Sequence, residues 1–181
     1  NRYIKKVNNI WRIEMGFLSK LFGKTEEQTN EVVLSSYMKG KVVDITEVPD
    51  PVFAQKMMGD GFAIIPEEGK LVSPVAGEII QVFPTKHAFG IKSGEVEILI
   101  HVGLETVAMK GEGFEVAVSA GDRVEVGQTL LTYDLELVKE KAKDIITPCV
   151  ITNMDAVASI EVLKLNETVD FSQEVAKVKL K

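Results

Sequence analysis

Beyond residue 30 the chain runs in short β-branched stretches, each cut within a few residues by glycine or proline, and this punctuation most narrows the folds open to it. The runs fall at 31–34, 41–45, 62–65, 77–83, 95–102, 114–118, 128–133, 149–152, 159–165 and 175–180. Glycine-bearing turns separate them at 59–61, 68–69, 93–94, 111–113, 121–122 and 127. Many short strands with regular turn signals pack as a sandwich or barrel. The expected fold class is therefore all-β, an antiparallel β-sandwich with a few short helices. Ser73-Pro74 and Thr147-Pro148, in S-P-V-A-G and T-P-C-V, each introduce a strand and suggest a duplicated β-motif. Two helical turns are expected. One has Asp50 as cap and Pro51 at its first position and runs up to Gly59; the other follows Asp134 in L-E-L-V-K-E-K-A-K.

A 181-residue chain that is 45% hydrophobic can bury one self-sufficient core. We expect one domain over 31–181, with 1–30 as tail and linker. The linker is the polar run K-T-E-E-Q-T-N at 24–30. Residues 1–24 carry six basic side chains against Glu14, a balance of +5, so the formal −6 of the whole leaves −11 on the other 157 residues. An acidic body argues against nucleic acid and suits basic protein partners. In the tail, Ile10, Trp11, Ile13, Phe17, Leu18, Leu21 and Phe22 recur at helical spacing among Arg12, Lys20 and Lys24, which fits a helix lying on an anionic membrane surface but also a disordered or added tail, the reading we favour. Met15-Gly16 also reads as a natural start, which would make 1–14 an added leader. The lone Cys149 points to a reducing compartment. No run approaches about 18 consecutive apolar residues and no secretory leader is visible, so the expected location is the cytoplasm.

Only two histidines are available for imidazole chemistry. In the run E-V-E-I-L-I-H-V, Val96, Ile98, Ile100 and Val102 share one face and Glu97, Leu99 and His101 the other. The first face reads as core. His101 then points away from it, beside an exposed Leu99. His87 lies in P-T-K-H-A-F-G, two residues after Thr85. Hydrolysis would need a nucleophile beside a fixed base, and no G-x-S-x-G is present. Two histidines and one cysteine without close spacing do not make a resident zinc site, so no cofactor is expected; a zinc at His87 and His101 would need a ligand from a partner. Both histidines could also be plain packing or surface residues. Phosphoryl transfer asks for less: a neutral ring nitrogen to accept the group in line, and donors for its oxygens. His101 as acceptor, His87 as donor and Thr85 as hydroxyl would supply that set. An imidazole is largely neutral near pH 7, more so in apolar surroundings.

Several separated motifs occur in one order: V-P-D-P-V-F-A-Q-K-M-M-G-D-G (48–61), H-A-F-G-I (87–91), I-L-I-H-V-G-L-E-T-V (98–107), K-G-E-G-F (110–114) and I-T-N-M-D (151–155). Together they resemble the glucose-family IIA component of the bacterial phosphoenolpyruvate-dependent sugar phosphotransferase system, over 31–181. The resemblance implies that His101 is phosphorylated by the phosphocarrier HPr and passes the group to a cysteine of a sugar-specific IIB domain. His87 would be its partner, and Thr85 would complete the hydrogen-bond network. It further implies an apolar docking patch of Phe53, Met57, Met58, Phe83, Phe89, Leu99 and Val107, ringed by Asp50, Glu105 and Asp155. The family fold is an antiparallel β-sandwich with short helices. S-Y-M-K-G (36–40) stands where the family carries A-P-L-S-G, so the resemblance does not fix the register of the first strand.

Two rival readings compete. S-P-V-A-G-E-I-I-Q-V, A-M-K and A-G-D-R-V-E-V-G-Q-T-L-L resemble a biotinyl- or lipoyl-type carrier, but Lys110 precedes the G-D-x-V-x-x-G segment instead of following it. The other is a regulatory module of the same fold that docks transporters or kinases without turnover.

Overall fold

In the computed structural model of the protein, which describes residues 30–181, the β-branched runs form strands and the glycine-rich gaps form the turns between them. The expected amphipathic segment at 10–22 lies outside the described residues. In chain order the strands are β1 (Glu31–Ser35), β2 (Gly40–Asp44), β3 (Asp60–Pro66), β4 (Lys70–Val72), β5 (Gly77–Val82), β6 (Ala88–Ser93) and β7 (Val96–His101). They continue with β8 (Phe114–Val116), β9 (Arg123–Val124), β10 (Thr129–Tyr133), β11 (Thr147–Ile151), β12 (Val157–Val162), β13 (Thr168–Val169) and β14 (Glu174–Leu180). The pairings are antiparallel. An eight-stranded sheet has the order β13-β2-β3-β11-β7-β6-β5-β9, and two three-stranded sheets run β1-β14-β12 and β4-β10-β8.

The main core gathers Val42, Phe62, Ile64, Ile79, Ile91, Ile98 and Ile100 from the large sheet with Leu34, Val178, Leu71, Leu131 and Phe114 from the small ones. This is the expected antiparallel β-sandwich. The S-Y-M-K-G segment is built into that core: Tyr37 and Met38 are fully buried, the Tyr37 hydroxyl donates to the Thr147 carbonyl at 2.7 Å, and β1 before it pairs with β14 from Glu31 opposite Lys179 to Ser35 opposite Glu174. Among the described residues no helix is long and apolar enough to cross a membrane.

Four strands, β4, β6, β9 and β13, fall outside the expected runs. Three of them are only two or three residues long, too short for a periodic signal. β6 is longer but carries Ala88 and Gly90, weak strand formers that hold their place by pairing with β5 and β7. Of the two helices, α1 (Pro51–Ala54) starts as expected, with the Asp50 carboxylate accepting from the Val52 N–H at 2.8 Å. It stops well short of Gly59, because Lys56 turns left-handed at φ 57°. α2 (Leu135–Lys141) follows its Asp134 cap, which accepts from the Leu137 N–H at 3.0 Å.

β7 keeps the alternation read from its sequence. Val96, Ile98, Ile100 and Val102 are buried in the main core, whereas Leu99 joins a second, smaller cluster on the outer face of the large sheet. That cluster also holds Val43, Val48, Phe53, Ala63, Ala88, Leu104 and Val150, so Leu99 is 8% exposed and not stranded in solvent as expected. Phe89 requires a second correction. It pairs with Ile100 across β6 and β7, and directly paired residues share a face of the sheet, so Phe89 enters the main core and is fully buried. It is not part of an outer docking patch. Phe89→Ala is expected to cost about 3–5 kcal/mol of folding stability, whereas Met57→Ala, on the surface, should change it by less than about 0.5 kcal/mol. Urea unfolding of the two variants checks this, and the reverse order would return Phe89 to the patch.

Candidate functional site

The pairing of β6 with β7 brings the two histidines together. Ala88 lies opposite His101, and the Val102 N–H donates to the His87 carbonyl at 2.7 Å, so His87 and His101 stand side by side where the strand pair ends. Their ring centroids are 4.7 Å apart at an interplanar angle of 74°. Phe53 meets His101 edge-on at 5.5 Å, and Phe83 meets His87 edge-on at 5.8 Å. Two aromatic edges therefore confine two imidazoles.

Before β6 the chain makes a tight turn, closed by the Phe83 N–H on the Ala88 carbonyl and the Lys86 N–H on the Phe83 carbonyl, with Lys86 left-handed at φ 62°. The turn brings the Thr85 hydroxyl to 2.6 Å from His87 Nδ1. His101 is anchored from the other side, its Nδ1 lying 2.7 Å from the Gly103 carbonyl oxygen. A carbonyl can only accept, so Nδ1 carries the proton and, in the neutral ring, Nε2 keeps its lone pair. Gly103 adopts φ +67°, and a Cβ there would lie 2.8 Å from Thr106 Cγ2 and 3.0 Å from the Asp144 carbonyl oxygen. Glycine is the residue this turn admits.

Burial governs the charge of both rings. It pushes His87 down to about 4, aided by the neighbouring His101. It also lowers His101, opposed by the Gly103 carbonyl and by the Asp50 carboxylate. Burial therefore favours the neutral form of both imidazoles near pH 7.

The rings open into a depression lined by Asp50, Val52, Phe53, Met58, Phe83, Ala88 and Leu99. Of the expected patch, Phe53, Met58, Phe83 and Leu99 meet there, with Asp50 as the acidic member. Met57 and Val107 are 69% and 54% exposed but do not line it. Glu105, just before the short 3-10 helix Thr106–Met109, and Asp155, within the 3-10 helix Met154–Ala156, are exposed and likewise do not line the depression. Sequence reasoning missed Val52, Ala88 and Gly103. Ala88 could have been found from its place beside His87, and Gly103 from the turn glycine that follows His101. Among the described residues no group of three or more His, Cys, Asp or Glu side chains gathers to hold a metal ion.

Comparison with known proteins bears on this geometry. Residues 32–157 match the family described as phosphoenolpyruvate-dependent sugar phosphotransferase system, EIIA 1. The PTS system glucose-specific EIIA component of Halalkalibacterium halodurans is 56% identical over 156 residues, covering 82% of this chain and 90% of that protein. Its counterpart from Bacillus cereus is 56% identical over 163 residues, covering 90% and 98%. The Staphylococcus aureus protein of the same name is 48% identical over 160 residues, covering 88% and 96%. Among solved structures, glucose permease IIA from Mycoplasma capricolum superposes with a TM-score of 0.77 at 39% identity, covering 81% of this chain and 95% of that one.

The lowered proton affinity of His87 predicts an acid sensitivity with a definite sign. As pH falls from the ordinary imidazole value of about 6.5 towards the folded value of about 4, the unfolded chain takes up the proton first. Stability is full above that window and is lost on descending through it. The fall in urea midpoint between about pH 7 and about pH 4.5 should be smaller in His87→Gln than in the wild type. An equal fall in both would assign the acid sensitivity to other groups.

Proposed function

The chain belongs to the EIIA 1 family of the phosphoenolpyruvate-dependent sugar phosphotransferase system, and we propose that it works there as a covalent phosphoryl carrier, with His101 accepting the group from phospho-HPr and passing it to a cysteine of a sugar-specific IIB domain. One observation carries this reading: the Nδ1–H of His101 is tied to the Gly103 carbonyl, which leaves Nε2 as a lone-pair nitrogen in an apolar, two-histidine depression.

In the first transfer the P–N bond of the donor phosphohistidine breaks as the His101 Nε2 lone pair forms a new P–N bond, in line with the departing ring. The positive charge that develops on the His101 ring is met by the Gly103 carbonyl at Nδ1 and by Asp50 in the depression wall. His87 acts as donor. If the Thr85 hydroxyl gives its hydrogen to Nδ1, the proton of the neutral ring sits on Nε2, where it can hold a phosphoryl oxygen. In the second transfer a IIB thiolate attacks phosphorus, the P–N bond breaks, and the electron pair returns to Nε2. The apolar walls keep water from competing for the phosphoryl group. Phe53, Met58, Phe83 and Leu99 give the partners an apolar seat with Asp50 in its wall, and Met57, Val107, Glu105 and Asp155, exposed outside the depression, are left for a partner whose footprint reaches beyond it.

The cycle consumes no nucleotide and needs no resident cofactor. The two imidazoles would fill two positions of a tetrahedral zinc, so a zinc site here would require ligands from a partner. Chemistry that draws on phosphoenolpyruvate and feeds a permease's inward face belongs in the cytoplasm.

Incubation with phosphoenolpyruvate, enzyme I and HPr, followed by intact mass and phosphohistidine mapping, tests the reading. The wild type should gain one acid-labile phosphate on His101, and His101→Gln none. His87→Gln should still accept from HPr but pass the group to a IIB domain at least about a hundredfold more slowly, the range expected for loss of a positioned proton donor. A folded wild type that accepts no phosphate would sink the carrier role and leave a docking module without turnover. Equal loss of acceptance in both variants would contradict the separate roles of the two histidines.

A further inference from the structure

The T-P-C-V segment that opens β11 takes no part in the transfer just described, yet its first side chain touches the loop that holds His101. Thr147 is fully buried, and its Oγ1 accepts the Gly103 N–H at 3.2 Å. Its single hydroxyl hydrogen goes to the Ile145 carbonyl at 3.1 Å, which turns an oxygen lone pair towards Gly103. The Thr147 backbone is pinned from the core by the Tyr37 hydroxyl at 2.7 Å.

These contacts matter because of what Gly103 does. Its carbonyl selects the His101 tautomer, yet a left-handed glycine has no side chain to hold its two flanking peptide planes. The plane before it is fixed twice: the Thr106 hydroxyl donates to the Val102 carbonyl at 2.7 Å, and Thr147 takes the Gly103 N–H. The plane after it is fixed by the Leu104 N–H donating to the Asp144 carbonyl at 2.8 Å. Remove the Thr147 oxygen and a buried N–H is left without an acceptor. Gly103 joins that peptide to the one carrying its carbonyl through an unrestrained φ and ψ, so turning the 102–103 peptide to find an acceptor would shift the Gly103 Cα and draw the carbonyl away from Nδ1, leaving the Leu104 N–H as its one remaining anchor and freeing the ring to put its proton on Nε2.

We propose that Thr147 is a positioning residue for the phosphoryl-accepting imidazole, its hydroxyl fixing the Gly103 turn whose carbonyl in turn fixes the His101 tautomer. The proposal rests on His101 being the acceptor. Its near-isosteric test is Thr147→Val, which deletes the oxygen and keeps the shape, with Thr147→Ser as the rescue.

Nitrogen-15 NMR of histidine-labelled protein at neutral pH should show the Nδ1–H tautomer of His101 in the wild type and in Thr147→Ser, and a mixture in Thr147→Val. Phosphoryl acceptance from phospho-HPr should slow roughly tenfold in Thr147→Val, as expected when a reacting group is misplaced by a fraction of an ångström, and recover in Thr147→Ser. An unchanged tautomer and rate in folded Thr147→Val would overturn the proposal, as would equal losses in the valine and serine variants, which would point to the methyl group instead. Should Thr147→Val fail to fold, hydrogen exchange of the wild-type Gly103 amide decides. Protection like that of the core strands supports the Thr147 hydrogen bond as the anchor of the turn, and exchange at open-loop rates overturns it. A wild type that accepts no phosphoryl group would defeat the carrier reading, while the tautomer comparison would still judge the positioning role.

Discussion

The site depends on the hydrogen bond from His101 Nδ1 to the Gly103 carbonyl. An imidazole left to itself divides its proton between two nitrogens, so which of them keeps a lone pair is unsettled. One backbone acceptor removes that ambiguity at the cost of ordering a short turn. The sandwich supplies what the turn cannot: β7 carries His101 to the sheet's edge of regularity, β6 fixes His87 beside it by register, and β11 stands behind the loop. Moving any of these by one residue would break the constellation, because a one-residue slip exchanges the faces of a strand.

The same parity explains how much of the site could be read in advance. Period-two alternation in β7 assigned Ile98 and Ile100 inward and His101 outward without any coordinates, and the Asp50 and Asp134 caps were visible as an aspartate at each helix start. Phe89 could not be assigned this way. It lies in a strand with weak propensity, H-A-F-G-I, whose inner and outer faces are set only by its partners, so the family resemblance placed an aromatic in the patch that the sheet places in the core. Gly103 escaped notice for a different reason. Its contribution is a carbonyl, and every residue has one; only the turn conformation makes this one decisive. Which of the motif residues line one depression is likewise tertiary information, since Asp50, Phe83 and Leu99 are far apart in the chain.

Placing two imidazoles in an apolar depression has opposing effects. Burial lowers the proton affinity of both rings, so neither is lost to protonation near neutral pH. In the proposed carrier role, positive charge developing on His101 would be disfavoured by the same surroundings and would need local compensation. Two groups offer it, the Gly103 carbonyl and Asp50, and both oppose the effect of burial on His101. His87 has no such support and is pushed further down, to about 4. The asymmetry separates two chemically similar rings, one with groups beside it that favour positive charge and one without, and this is the division of labour that the proposed acceptor and donor would require.

Asp50 therefore does two jobs with one carboxylate. It accepts the Val52 N–H and so starts α1, the short helix that presents Phe53 to His101, and it supplies the negative charge that the His101 ring meets. A free carboxylate in a surface loop would sample many positions and be screened by solvent and salt. Capping removes that freedom before any partner arrives, much as the Gly103 turn removes the tautomeric freedom of His101. Both devices use backbone groups to fix a side chain in advance, so a docking protein that buries the depression meets a field already oriented and does not have to organise one.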